Sequence, residues 1–277
     1  MISKHHIKRI INYLINGIPI KNVIANITYS TPHQLLLGKK IIVTGGGRGI
    51  GLAMAKKFIK EGAEVLITGR NENNLKNISK ELNCKYLILD LQKTETFNQF
   101  IIEAEKEIGL LDVLVNNAGI SLHESTFFNV TESSFDQQLA TNLKGPFFLS
   151  QKFVKYIIEK ERKGNLLFIS SETGETMDYR PYGFTKASIN SMVKGLAYLL
   201  NDKNIRVNAI APGVTASDMT GFQENGNLYC DFNLSKRVYL PEEMAEIATF
   251  LLADISGCIS GQIIVCNNGN TINARWK

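Results

Sequence analysis

The chain has 277 residues, of which 44% are hydrophobic and 21% charged, and this suits one sizeable α/β domain with a substantial core. Its net charge of +5 arises within residues 1–40, which hold six Lys/Arg and no acid; the rest is nearly neutral, which excludes an extended nucleic-acid-binding face. Four scattered cysteines without Cys-x-x-Cys spacing indicate reduced thiols in a cytoplasmic protein and exclude a disulfide framework and a metal site, and no apolar run is long enough for a transmembrane segment.

Residues 1–37 are predicted to be a basic N-terminal extension that is separate from the main domain. This stretch is rich in Ile and Asn, and it lacks the apolar core and small-residue cleavage site of a signal peptide. Residues 7–15 are compatible with a basic amphipathic helix that docks on a partner subunit or on an anionic membrane surface. The alternative is a poorly ordered or locally packed extension.

Residues 38–277 alternate between short apolar segments and longer segments of helical character. The predicted strands are 41–44, 64–68, 86–89, 113–116, 166–170, 206–210 and 262–266. The predicted helices are 49–61, 72–82, 96–108, 143–159, 184–200 and 241–252. Buried strands separated by such helices are typical of βαβ units. The pattern therefore predicts an α/β fold, a single doubly wound, Rossmann-type domain with a mostly parallel seven-stranded sheet.

A glycine-rich turn connects the first predicted strand to the first predicted helix. It reads Gly-Gly-Gly-Arg-Gly-Ile-Gly from Gly45 to Gly51. In a dinucleotide site, Gly45 permits the tight turn, Gly49 lets the backbone approach the pyrophosphate, and Gly51 allows close packing of the helix. Because strand, turn and helix follow in the required order, we predict nucleotide binding here, with Arg48 and Ile50 also at the site. The alternative is a plain flexible turn.

The end of the second predicted strand indicates which dinucleotide the site prefers. An enzyme that selects NAD usually offers a carboxylate there to the ribose 2′-hydroxyl. Here Gly69, Arg70 and Asn71 follow the strand, with no acid at that position. Arg70 can pair with a 2′-phosphate, and Arg48 can assist from the glycine turn. We therefore expect NADP(H) to be favoured over NAD(H); the alternative is that both arginines are solvated surface charges.

Further polar groups follow the later strands, at the edge where an open parallel sheet binds ligands. They are Asn117, Ala118 and Gly119, which line the predicted cofactor cleft, then Asn142, Ser170, Ser171, Tyr182 and Lys186. Tyr182 and Lys186 are four residues apart, so they share one face of a helix. A neighbouring cation favours the phenolate, and the pair is predicted to be an acid/base device with a lowered tyrosine pKa. The alternative is the edge of an ordinary solvated helix.

Taken in this order, the motifs resemble those of the short-chain dehydrogenase/reductase family. The resemblance covers residues 39–269 and comprises the glycine turn, Asn-Asn-Ala-Gly, Asn, Ser, Tyr-x-x-x-Lys and Pro-Gly. Within the family, the chain is most similar to the 3-oxoacyl-carrier-protein-reductase-like branch. The resemblance implies an oxidoreductase that interconverts a ketone or aldehyde and an alcohol by direct hydride transfer, which needs no metal.

The resemblance also implies roles for individual residues. Tyr182 would donate a proton to the substrate oxygen, or accept it in the reverse direction, and Ser171 would hydrogen-bond that oxygen. Lys186 would lower the tyrosine pKa and hold the nicotinamide ribose, while Asn142 would support a water chain that resupplies protons. Further cofactor-binding positions are implied near the adenine and around the nicotinamide amide: Asp90, Leu91, Pro212, Gly213, Val214 and Thr215.

Two adjacent residues, Ser170 and Ser171, are candidates for the catalytic serine. Ser171 precedes Tyr182 by eleven residues, slightly fewer than is usual in the family. The register favours Ser171 over Ser170 as the catalytic serine.

The leading functional hypothesis is an NADP(H)-dependent oxidoreductase acting on a small-molecule carbonyl/alcohol pair. The alternatives are an NAD-dependent sugar or polyol dehydrogenase and a non-catalytic, nucleotide-sensing family member. Residues 215–240 mix aromatic side chains with Gly, Asn and Asp, and we expect a mobile lid that selects the substrate; an ordinary surface helix and loop is the alternative. The resemblance further implies a homo-oligomer, a dimer or a tetramer, paired through helices 143–159 and 184–200.

Overall fold

The computed structural model describes Ile15 and residues 34–272. The proposed helix over residues 7–15 therefore lies outside the described residues, except for Ile15, as does most of the extension over 1–37. The chain packs against the domain just before the first strand. Leu36 is fully buried, and its backbone N donates to the backbone oxygen of Glu61 at 3.1 Å. No helix in the described part of the chain combines the length and apolarity needed to cross a membrane.

Seven parallel strands form the central sheet, in the order β3-β2-β1-β4-β5-β6-β7. They are β1 (Lys40–Thr44), β2 (Glu64–Gly69), β3 (Lys85–Ile88), β4 (Val113–Asn116), β5 (Gly164–Ile169), β6 (Ile205–Pro212) and β7 (Ile263–Cys266). The central strands β4 and β5 are buried along their whole length, as expected where helices cover both faces. The predicted doubly wound, Rossmann-type α/β domain is confirmed.

Helices cover both faces of the sheet. Within the described residues they are α1 (Gly49–Lys60), α2 (Glu72–Leu82), α3 (Phe97–Ile108), α4 (Glu132–Leu139), α5 (Gly145–Glu159), α6 (Pro181–Leu200) and α7 (Pro241–Leu252). Successive strand residues point to opposite faces. Accordingly, Val43 packs in one core cluster with Phe58 of α1, and Ile42 packs in another with Phe153 of α5 and Val193 of α6.

Helix α4 was not predicted, because its sequence is short and polar and only Gln138 is buried. The available signal was its N-terminus. The Thr131 side chain accepts from the Ser134 backbone N, and the Ser134 side chain accepts from the Thr131 backbone N, each at 3.1 Å. This reciprocal capping box marks a helix start.

Two predicted helices begin at other residues than expected. A π-helical stretch, Ala140–Lys144, follows α4, and α5 starts after it at Gly145 rather than at 143. Helix α6 starts at Pro181 rather than at 184, because proline at the first position is preorganised for a helix and loses no hydrogen bond there. Tyr182 consequently lies in the first turn of α6.

Residues 215–240 contain no α-helix, so the alternative of an ordinary surface helix and loop is wrong in its helix. Single bridges tie the segment together, pairing Thr215 with Tyr239, Ser217 with Phe222 and Tyr229 with Arg237. A small core of its own holds Ala216, Leu228, Cys230 and Val238. The segment is thus a folded cap beside the carboxyl end of β6.

Candidate active site

The carboxyl ends of the strands meet at one edge of the sheet, and β1 lies there between β2 and β4. The connections after β1 and β4 leave the sheet on different sides, which opens a crevice at this point. Four loops approach one another around it: the glycine turn after β1, the loops after β4 and β5, and the cap after β6.

The glycine turn between β1 and α1 forms a tight backbone cradle. Gly45 and Gly49 have φ values of +66° and +51°, a region that favours glycine. A Cβ on Gly51 would overlap the Gly45 oxygen and lie 2.5 Å from Asn117 Nδ2, so a larger residue does not fit. The first turn of α1 carries no acidic side chain, and its positive end stays uncompensated. The cradle therefore fits a pyrophosphate.

Asn117 holds this cradle in place. Its Nδ2 donates to the backbone oxygens of Thr44 at 2.8 Å and Gly45 at 3.2 Å. The Thr44 hydroxyl accepts from the backbone N of Asn117 and of Ala118, at 3.0 and 3.1 Å. Both amide hydrogens of Asn117 are thus used within the protein. Asn117 lies in the cleft as predicted, but it supports the turn there.

Two arginines lie at the outer end of the crevice. Arg70 follows β2, is exposed and has no ion-pair partner within residues 34–272. Arg48 Nη1 lies 3.1 Å from Asp218 Oδ2, and both side chains are 75% exposed. Such an exposed pair stabilises the fold little. A cavity of about 300 Å³ separates the glycine turn from residues 217–225. Because Asp218 already pairs with Arg48, it competes with any anionic ligand for this arginine.

The positions expected near the adenine differ in their environment. Leu91 is buried, and its backbone oxygen would lie 2.5 Å from a Cβ on Gly145, so it packs under the start of α5. Asp90 is half-buried, and its Oδ1 accepts from the Gln92 backbone N at 3.0 Å. Of these two residues, Asp90 presents the polar side chain. Ile50, which was expected at the glycine turn, packs against the core under α1.

Tyr182 and Lys186 share one face of α6, as predicted. Lys186 Nζ lies 5.4 Å from the centroid of the Tyr182 ring and donates to the Ile169 oxygen at 2.7 Å. Burial lowers the pKa of Lys186 to about 8, because a desolvated ammonium is disfavoured.

The pKa of Tyr182 moves opposite to the expected direction. Burial raises the pKa of this phenol, and the Ser171 side chain and the Arg180 charge oppose the rise. The Lys186 ammonium lies over the ring and donates to the Ile169 carbonyl. The expectation of a lowered tyrosine pKa is therefore wrong for this structure, in which burial has the largest influence on the phenol.

The two neighbouring serines lie in different environments. Ser170 is buried, and its Oγ donates to Asn190 Oδ1 at 2.6 Å. Ser171 is half-buried; its Oγ accepts from the Thr173 backbone N at 3.3 Å and interacts with the Tyr182 phenol. Ser171 thus faces the candidate site, whereas Ser170 ties β5 to α6.

Asn142 is buried in the π-helical stretch between α4 and α5. Its Oδ1 accepts from the Ile120 backbone N at 2.8 Å, and its Nδ2 donates to the Ile120 oxygen at 2.7 Å. A Cβ on Gly119 would lie 3.3 Å from Asn142 Oδ1 and 3.7 Å from Lys186 Nζ, so the three residues adjoin. Such π-helical turns are frequent at functional sites.

The backbone from Pro212 to Thr215 begins at the end of β6, at the carboxyl edge of the sheet. Gly213 N donates to the Cys266 oxygen at 3.0 Å, and the buried Thr215 hydroxyl donates to the Gly213 oxygen at 2.9 Å. Val214 packs partly against the core of the cap. The segment is therefore fixed between β7 and the cap.

Charged residues of the loop after β5 were missed by the sequence pattern. Glu172 Oε2 accepts from Asn267 Nδ2 at 2.9 Å and so ties this loop to the segment after β7. Asp178 and Arg180 form an ion pair shortly before Tyr182. The only signal was their closeness to the predicted serine and tyrosine, because a loop sequence does not show where its side chains point. Within residues 34–272, no cluster of His, Cys, Asp or Glu is arranged to hold a metal ion.

Comparison with known proteins gives consistent matches. A family model described as enoyl-(acyl carrier protein) reductase matches residues 45–271. The 3-oxoacyl-[acyl-carrier-protein] reductase of Aquifex aeolicus is 34% identical over 84% of this chain and 98% of its own. The 3alpha-hydroxysteroid dehydrogenase of Mediterraneibacter gnavus is 33% identical over 83% of this chain and 96% of its own. The gluconate 5-dehydrogenase of Gluconobacter oxydans is 28% identical over 86% of this chain and 96% of its own. The crystal structure of gox2181 is similar with a TM-score of 0.80 at 25% identity, covering 88% of this chain and 100% of that one.

Proposed function

The chain belongs to the short-chain dehydrogenase/reductase family, and we propose that it is an NADP(H)-dependent member in which Tyr182 donates and accepts the proton. It is an oxidoreductase that interconverts a carbonyl group and an alcohol, in the 3-oxoacyl-carrier-protein-reductase-like branch.

One observation carries the proposal: the Ser171 side chain acts on the Tyr182 phenol, and the Lys186 ammonium lies over the same ring. A carbonyl oxygen between the two hydroxyls would accept two hydrogen bonds, and the phenol proton would balance the charge that develops there on reduction. In alcohol oxidation the same phenol oxygen takes the proton. Lys186 stays mainly protonated at pH 7, because its pKa is about 8.

The glycine cradle and the N-terminus of α1 would hold the pyrophosphate of the dinucleotide. Lys186 donates one N–H to the Ile169 carbonyl. Its other N–H donors suit the hydroxyls of the nicotinamide ribose. The segment 212–215 would border the nicotinamide amide, and Asp90 the adenine. When bound, the nicotinamide supplies or accepts the hydride. Asn142 fixes the loop after β4 beside Lys186 and would support the water chain that resupplies protons.

The cofactor preference is proposed from Arg70, which directly follows β2 and has no ion-pair partner within residues 34–272, while no acid stands at the position where an NAD-selecting enzyme usually offers one. We expect Arg70→Gln to lower kcat/KM for NADPH by about 10- to 100-fold, because a charge-assisted hydrogen bond contributes roughly 1.5–3 kcal/mol. Use of NADH should change little. Arg48→Gln is the matched control with a smaller loss, since Asp218 already engages Arg48. Steady-state kinetics with both cofactors measure this.

The substrate is proposed to be a small carbonyl/alcohol compound that the cap over residues 215–240 selects. A suitable panel follows the relatives' names: 3-oxoacyl thioesters, oxosteroids and keto-sugar acids, each assayed with NADPH and NADH. We expect NADPH oxidation with at least one class. Wild-type protein that uses NADH much more efficiently than NADPH would contradict the cofactor assignment.

The catalytic serine is proposed to be Ser171. Ser171→Ala is expected to lower kcat by about 10²- to 10³-fold with little change in Tm, because a donor to the substrate oxygen is lost. Ser170→Ala is expected to keep most of kcat but to lower the free energy of unfolding by about 1–3 kcal/mol, since Asn190 loses a buried partner. If Ser170→Ala instead removes the activity, the assignment is wrong.

A homo-oligomer, dimer or tetramer, is proposed from the surfaces of α5 and α6. Phe147 and Phe148 of α5 and Phe184 and Tyr198 of α6 are exposed, and apolar patches of this kind mark protein interfaces.

A cytoplasmic location is proposed because the four cysteines are free thiols.

A further inference from the structure

The loop between β5 and α6 is held by an ion pair between Asp178 and Arg180. Arg180 Nε lies 2.9 Å from Asp178 Oδ1 and Arg180 Nη2 lies 2.8 Å from Oδ2, so the guanidinium binds both carboxylate oxygens. The Arg180 backbone N also donates to Oδ1, at 3.0 Å. The Asp178 side chain is 6% exposed and that of Arg180 36%. A bidentate pair with a nearly buried carboxylate is more rigid than an ordinary surface pair.

This pair packs directly against the first turn of α6. A Cβ on Gly183 would lie 2.5 Å from Asp178 Oδ2, so the helix backbone and the carboxylate touch. Arg180 is the N-cap residue, and Pro181 starts the helix. The Asp178 carboxylate therefore contacts the chain on both sides of Tyr182. This contact holds the backbone that carries the phenol.

Tyr182 faces charged and polar groups from each element around it. Lys186 of α6 lies over its ring, and Ser171 at the end of β5 interacts with its hydroxyl. Burial raises the pKa of Tyr182 most; the aspartate of the pair adds to that rise, and the arginine opposes it. Glu124, from the loop after β4, acts on the arginine. In a desolvated place these charges interact more strongly than in water.

We propose that Asp178 and Arg180 form a positioning clamp that orients Tyr182 and balances the charge at its hydroxyl, an inference that rests on the proposed proton-transfer role of Tyr182. The carboxylate fixes the backbone on either side of the phenol. The two charges act on the phenol in opposite senses, so each offsets the other while both are present. Loss of one partner leaves an unbalanced charge beside Tyr182, although neither residue touches the substrate.

The test is the pH dependence of kcat for alcohol oxidation, which needs the phenolate and so rises with pH through the apparent pKa of Tyr182. Asp178→Asn keeps the shape of the side chain and removes its negative charge. The rising limb of the pH profile, where kcat increases with pH, should then move to lower pH by about half a unit. Arg180→Gln should move it to higher pH by a similar amount. The double variant should return it close to the wild-type position.

The matched control is the pair Asp202 and Lys203, an exposed ion pair just beyond the other end of α6. Asp202→Asn and Lys203→Gln should leave the limb in place. A ¹³C NMR titration of tyrosine Cζ, with the Tyr182 signal identified by its loss in Tyr182→Phe, reports the same pKa without turnover. Shifts of both single variants in one direction, or no shift in either, overturn the clamp. Full activity of Tyr182→Phe refutes the proposed function instead, and the NMR titration still decides the clamp.

Discussion

Replacement of Tyr182 by phenylalanine is expected to lower kcat by about 10²- to 10⁴-fold, the usual contribution of a positioned general acid or base. The variant keeps the ring that lies beside Lys186 and removes only the hydroxyl that meets Ser171. Binding of NADPH and the free energy of unfolding should therefore stay close to those of the wild type. Steady-state kinetics, calorimetric titration with NADPH and thermal unfolding separate these effects.

Tyr179→Phe is the matched control for this prediction. Tyr179 lies three residues earlier, is half exposed, and donates its hydroxyl to the Ser125 oxygen at 3.3 Å. Its loss should change kcat less than about threefold, because an exposed hydrogen bond contributes only about 0.5 kcal/mol. Wild-type activity in Tyr182→Phe would refute the assigned proton transfer.

Replacement of Gly51 by alanine is expected to weaken NADPH binding by at least about tenfold and to lower the free energy of unfolding by about 1–3 kcal/mol. The added methyl group collides with the Gly45 oxygen and the Asn117 amide, so the cradle must open. Loss of the Asn117 hydrogen bonds would then disturb both the turn and the loop after β4. Titration with NADPH and thermal unfolding measure the two effects.

Gly195→Ala provides the control for a glycine substitution as such. Gly195 lies inside α6 with open space around it, and alanine there should raise helix stability by up to about 1 kcal/mol. NADPH binding should not change. Equal affinity for NADPH in Gly51→Ala and the wild type would show that the cradle is not the pyrophosphate site.

The fold was predictable because a strand that is covered on both faces must be apolar throughout, and such runs stand out between helical segments. All seven strands were placed within two residues of their observed limits. Helix α4 escaped because it buries a single side chain, so no apolar period marks it. The start of α6 was signalled by Pro181, a local feature that hydrophobic periodicity does not register.

The sequence motifs point to residues that the fold gathers at the carboxyl edge of the sheet, but they do not predict the electrostatics there. The spacing of Tyr182 and Lys186 gives a shared helix face, yet it gives neither the depth of burial nor the partner of the ammonium. The Ile169 carbonyl decides where the ammonium lies, and a backbone group carries no sequence signature. The Asp178–Arg180 pair was hidden for a similar reason, since its contact with Gly183 depends on the path of a loop.

The hydrogen bonds between Thr44 and Asn117 also bear on the order in which the chain assembles. The two residues are 73 positions apart, so the turn after β1 lacks these bonds while the nascent chain ends before β4. At a synthesis rate of roughly 5–20 residues per second, about 4–15 s separate the two residues on the ribosome. A partly made chain thus carries strand, turn and helix without a competent nucleotide cradle. Cofactor binding at the proposed cradle would therefore stabilise only a chain that extends past β4 and, by mass action, would draw the chain toward that state.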